Sequence, residues 1–128
     1  MNKDKSTVLF DEMTSIFIIR IFGQTTENQV VALFQVYEEY IDKKVKNSKF
    51  NIIINVDNEA HSSIIVLKRV RELLENQKHN DNIANIVAVN ENKIVVDMRN
   101  ESSESKLLPF FISEKDAIQF LMHKKLSD

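Results

Sequence analysis

The sequence predicts an α/β fold, a mixed, largely parallel β-sheet of four to five strands with about four helices. Three observations lead there. Short runs dense in isoleucine, valine and phenylalanine recur along the chain. Between them lie longer stretches whose apolar residues return every three or four positions. The two kinds of segment alternate, the order that parallel strands joined by helical crossovers require.

The first clear strand is Ser15 to Phe22, rich in β-branched and aromatic residues and closed by Gly23, with a shorter strand at Thr7 to Phe10 completing an opening hairpin. Thr26-Glu-Asn-Gln29 is a capping box, in which the threonine hydroxyl accepts from a free N–H and the glutamine reaches back. The stripe Val30, Leu33, Phe34, Tyr37 and Ile41 follows on one helical face. Phe50 to Val56 reads as a central strand buried on both sides, because Ile52 to Ile54 leave no polar alternate face. Ile64, Leu67, Val70 and Leu74 mark a second helix, and Ile83 to Val89 another strand. Leu107 to Ile112 reads as a last strand, and Ser113 caps a final helix through Ala117, Ile118, Leu121 and Met122.

Lys93 to Arg99 is ambiguous by pattern. Ile94-Val95-Val96 favours a strand by composition, whereas Ile94, Val95 and Met98 share one face of a short helix. A parallel sheet needs a crossover between Val89 and Leu107, so a helix is expected.

Composition bounds the function. The 128 residues suit one domain spanning 1–128, and 43% hydrophobic with 28% charged residues matches ordinary globular chains. A formal charge of -2 provides no summed positive field for nucleic acid or anionic lipid. Apolar runs fall far short of the ~20 residues that cross a bilayer, and Asp11 and Glu12 interrupt the early apolar stretch before a signal-peptide core could form. The expectation is a cytoplasmic protein. Cysteine is absent, which removes disulfides and thiolate chemistry, and a single glycine, Gly23, rules out a glycine-rich nucleotide loop.

The order β, β, α, β, α, β, α, β, α, together with local wording, resembles the STAS domain of bacterial anti-sigma-factor antagonists. Ile16-Phe-Ile-Ile-Arg-Ile-Phe-Gly23 and its capped helix are similar to that family's opening strand, glycine and first helix. Asn51-Ile-Ile-Ile-Asn-Val-Asp57 is similar to its central strand, and Lys93 to Met98 and Phe111 to Leu121 to its third helix and last junction. The resemblance implies a non-enzymatic regulatory module that binds a protein partner, an anti-sigma factor with serine kinase activity or a related signalling assembly, without a cofactor. In the family a serine at the start of the second helix accepts phosphate, which blocks binding. The nearest match here is His61-Ser-Ser-Ile64, with His61 in place of an acidic residue and Ile64 in place of a glycine. By resemblance Ser62, with Ser63 beside it, is the phosphorylation candidate, and Asp57, Asn58, Glu59, His61 and Ser62 form the partner-binding stretch.

The same residues have plainer readings. Ser62 and Ser63 also suit an ordinary first helical turn. Asp57, Glu59 and His61 carry metal-ligand chemistry but not a recognised ligand spacing, so no metal is expected. His61 beside a serine makes no catalytic pair, since adjacent helical side chains diverge. His79, His123 and the Glu101 to Ser105 stretch read as surface and connection. Two other functional classes remain open. One is a small hydrophobic ligand or lipid held between sheet and helices. The other is a homodimer or scaffold subunit joined through an open sheet edge.

Overall fold

The computed structural model describes residues 6–45, 48–57, 64–76, 80–101 and 108–124. Among them are five strands in one sheet, ordered as they occur in sequence: β1 (Thr7–Asp11), β2 (Ile16–Ile21), β3 (Phe50–Val56), β4 (Ile83–Val89) and β5 (Phe110–Phe111). β1 is antiparallel to β2, and the three remaining pairings are parallel. Four α-helices connect or follow them: α1 (Glu27–Tyr40), α2 (Ile64–Glu75), α3 (Lys93–Glu101) and α4 (Glu114–Met122). The fold is therefore α/β with a mostly parallel mixed sheet.

Side chains alternate across a strand, so the sheet has two distinct faces. Phe17, Ile19 and Ile21 of β2 and Phe50, Ile52, Ile54 and Val56 of β3 point to one face, where Val30, Phe34 and Tyr37 of α1 and Val70 of α2 cover them. Val8 and Phe10 of β1 extend that layer. Ile16, Ile53, Val87 and Val89 point to the opposite face, where Ala117 and Leu121 of α4 pack. β3 is thus covered on both sides, which is why three consecutive isoleucines are stable there.

Local signals account for the element ends. Gln29 N–H donates to Thr26 Oγ1 (3.2 Å) and Thr26 N–H to Gln29 Oε1 (2.8 Å), closing the capping box of α1. Ser113 Oγ accepts from Asp116 N–H (3.1 Å) at the start of α4. α1 continues into a π-helical turn, Ile41–Val45, that keeps both Ile41 and Val45 buried. β2 is shorter than the apolar run suggests, because Ser15 belongs to the hairpin turn with a φ of 57° and its N–H donates to Asp11 O (2.8 Å).

Two expectations need correction. The last strand holds only Phe110 and Phe111. Lys93–Glu101 is a helix as the crossover demanded, but its expected apolar face does not pack as a unit: Ile94 and Met98 are 70% and 67% exposed, Val95 is half-buried, and Val96 is the buried residue. α3 lies beside the two-residue strand β5, which offers too narrow a surface to cover a full apolar stripe. Among the described residues no helix is long and apolar enough to cross a membrane.

Candidate functional site

The expected site lies where β3 gives way to α2. Of its residues, Asp57 is described, whereas Asn58, Glu59, His61, Ser62 and Ser63 lie outside the described residues. The structure fixes the two flanks. At the first, Asp57 N–H donates to Ile21 O (3.2 Å), and Asp57 Oδ2 accepts from Gly23 N–H (2.9 Å). Gly23 turns there with a φ of 64°, a conformation that a Cβ would penalise. Asp57 therefore ties the exit of β3 to the exit of β2. At the second flank, α2 begins at Ile64 and is held on the sheet through Val70, Leu73 and Leu74.

The carboxyl ends of the other strands are also cross-linked by polar side chains. Asn90, fully buried after β4, donates from Nδ2 to Val56 O (2.7 Å) and accepts Asn92 N–H on Oδ1 (2.9 Å). Its backbone N–H donates to Phe111 O (3.0 Å), so one residue joins β3, β4 and β5. Asn92 in turn caps α3, accepting Ile94 N–H on Oδ1 (2.9 Å). Phe22 N–H donates to Ser6 Oγ (3.0 Å) and Thr25 Oγ1 to Phe22 O (2.6 Å), and the two hydroxyls stand 2.7 Å apart. These bonds tie together the described exits of β2, β3 and β4.

A charged cluster lies on the α4 face of the same edge. Arg20 of β2 meets Glu114 of α4 through two bonds, Nη2 to Oε1 (2.7 Å) and Nε to Oε2 (2.8 Å), and Asn55 Nδ2 donates to Oε2 (2.6 Å). The hydrogen bond from Arg20 holds the Glu114 carboxyl below its ordinary range against the opposing effect of burial, and Asn55 adds to the lowering. The same contact holds the Arg20 guanidinium more firmly protonated. At the other end of that face, Asn85 Nδ2 donates to Oδ1 of the buried Asn51 (3.1 Å).

Sequence reasoning did not single out these polar groups. A signal was available in the strand alternation: Arg20 falls among apolar β2 residues, and Asn51 and Asn55 fall on the same side of β3 as Ile53. Their partners are distant in sequence and become visible only once the register is known. No group of three or more histidine, aspartate or glutamate side chains is gathered for a metal among the described residues, and Glu59 and His61 lie outside them.

Small ligands of open parallel sheets bind where the strand order reverses. Here the order runs from β1 to β5 without reversal, so the described strands build no such crevice. Compared with known proteins, the chain matches no protein-family model, no curated protein and no solved structure.

Proposed function

We propose that this chain is a non-enzymatic regulatory module in which residues 57–63 dock a protein partner and phosphate on Ser62 or Ser63 switches the docking. The observation that carries this reading is the double anchoring of that stretch. Asp57 is bonded to Gly23 and Ile21 on one side, and α2, described from Ile64 onward, is packed on the sheet on the other. Holding both ends of a short stretch on the sheet limits the conformational freedom that a partner contact has to remove. The β-β-α-β-α-β-α-β-α order supports the STAS-like reading, and by that resemblance the partner is an anti-sigma factor with serine kinase activity.

The switch works by charge. A phosphate ahead of α2 would face the unpaired N–H groups and positive dipole end of the helix, so the module itself tolerates it. It adds about -1.5 to -2 charges to the docking stretch, enough to change a contact by about 1–3 kcal/mol, or roughly five- to 150-fold in affinity. Affinity capture from the source cell, with wild type, Ser62→Ala and Ser62→Asp as baits, tests the proposal. Partners kept by wild type and Ser62→Ala and lost by Ser62→Asp are the expected result. Identical partner sets for all three would sink it.

A further inference from the structure

The two edges of the sheet are treated differently. At one, β5 is two residues long, and its outward groups are occupied: Phe110 N–H donates to Asn100 Oδ1 (2.9 Å), and Asn100 Nδ2 donates to Phe110 O (3.0 Å). A side-chain amide of α3 thus takes the place of a neighbouring strand. At the other edge, β1 is a five-residue strand of sequence Thr-Val-Leu-Phe-Asp. It has no proline, lysine or bulge, the usual guards of an open edge.

The pairing pattern identifies which groups of β1 are open. In a strand, a residue sends its N–H and C=O to the same side and the next residue sends them to the other. Ser15 O and Ile21 O both accept from β3 or its exit, at Asn51 N (2.9 Å) and Asp57 N (3.2 Å). The odd residues of β2 therefore face β3, and Ile16, Ile18 and Arg20 face β1, opposite Asp11, Leu9 and Thr7. It follows that Val8 and Phe10 direct their N–H and C=O groups away from the sheet, where no described residue pairs with them.

We propose that β1 pairs antiparallel with β1 of a second copy about a two-fold axis through Leu9, joining two five-stranded sheets into one. In that register Val8 stands opposite Phe10 of the second copy, and the reverse, so every outward N–H and C=O of the two residues is satisfied. Leu9, 45% exposed in the single chain, meets its counterpart at the closely spaced, non-hydrogen-bonded position. Val8 opposite Phe10 is a β-branched and aromatic cross-strand pair, a favourable combination. The charges also agree. Asp11 of the second copy falls opposite the uncharged Thr7. The two Asp11 residues, by contrast, stand roughly 14 Å apart along the strands. A slip by one residue would bring non-matching backbone groups together and undo this fit.

The test uses the full chain. Light-scattering mass across a dilution series should approach twice the 14.9 kDa chain mass at the concentrated end. Leu9→Lys, which sets two ammonium groups together at the axis, should hold the mass at 14.9 kDa throughout. Wild type at 14.9 kDa in every sample, or a folded Leu9→Lys that keeps the doubled mass, overturns the proposal. Because the chain has no cysteine, Leu9→Cys places a single thiol at the axis, within disulfide reach of its counterpart. Mild oxidation should give a covalent dimer of Leu9→Cys in high yield and little from the highly exposed Met13→Cys. Equal yields from the two, or none from Leu9→Cys, also overturn it. The cross-linking comparison decides the matter even if lysine prevents folding.

Discussion

The two faces of the sheet are built on different physics. On the α1 and α2 face the contacts are apolar and aromatic. Phe17 sits among four rings, with centroid separations of 4.5 Å to Phe10, 4.9 Å to Tyr37, 5.2 Å to Phe50 and 5.8 Å to Tyr40. On the α4 face a smaller apolar patch is flanked by polar bonds, Asn51 with Asn85 at one end and Arg20 and Asn55 with Glu114 at the other. Apolar burial is non-directional and supplies most of the stability, whereas a bidentate ion pair is sensitive to geometry and supplies position. The first face holds the fold together, and the second fixes where α4 lies on it.

The largest effect expected from this contrast is at Phe17. Phe17→Ala removes a fully buried ring whose neighbours come from β1, β3 and α1, and such truncations cost about 3–5 kcal/mol. Against a total of about 5–15 kcal/mol for a domain, that is a large share. Urea unfolding followed by near-ultraviolet dichroism should show a much lower midpoint, with Tyr37 and Tyr40 on the same face as reporters. A loss below about 1 kcal/mol would mean that the aromatic layer is not the main source of stability.

A smaller, pH-dependent effect is expected on the opposite face. Glu114→Gln keeps the shape but removes the charge that Arg20 grips, at a cost of about 1–2 kcal/mol, modest because both side chains retain some contact with water. The Glu114 carboxyl is held below its ordinary value of 4.5 in the folded state. A depressed folded value means that the contribution is complete above the ordinary carboxyl range and vanishes as pH falls through the folded value. The stability gap between wild type and Glu114→Gln should therefore be full at neutral pH and close progressively below about pH 4.5. Amide exchange in α4 should rise in the variant at neutral pH while the tyrosine signal of the other face stays unchanged. A gap that persists into strong acid would assign the loss to packing.

The contrast also explains how much could be read from sequence. Periodicity is a local property, so Ile52 to Ile54, the stripe from Val30 to Ile41 and the Thr26 and Ser113 caps were all legible. Topological necessity predicted α3 when pattern could not, but the inward side of that helix depends on the width of β5, and Val96 gave no sign of its burial. The polar ties were hidden for a different reason. Arg20 and Glu114 are 94 positions apart, and Asn90 reaches Val56 only after the β3 and β4 register is set. Of the candidate site, the sequence singled out Asp57 as a surface group for a partner, whereas its carboxylate is also a structural tie to Gly23.

The smallest effect should come from the turn that belongs to neither face. Ser15 adopts a φ of 57°, a region that costs a non-glycine residue about 1–2 kcal/mol. It is held there because its N–H donates to Asp11 O and its carbonyl accepts from Asn51 N–H, so the turn joins β1 to β3. Ser15→Gly relieves the steric cost but gives the unfolded chain more freedom, which takes back about 0.5–1 kcal/mol. The net expectation is stabilisation of about 0.5–1 kcal/mol, read as a slightly higher urea midpoint at an unchanged slope. Neither the rings around Phe17 nor the Glu114 cluster includes Ser15, so the gain should add to the loss from Glu114→Gln within about 0.5 kcal/mol in the double variant. A larger departure would show that β2 transmits strain from the turn at its first residue to Arg20 near its end, and the two faces would then have to be treated as one coupled unit.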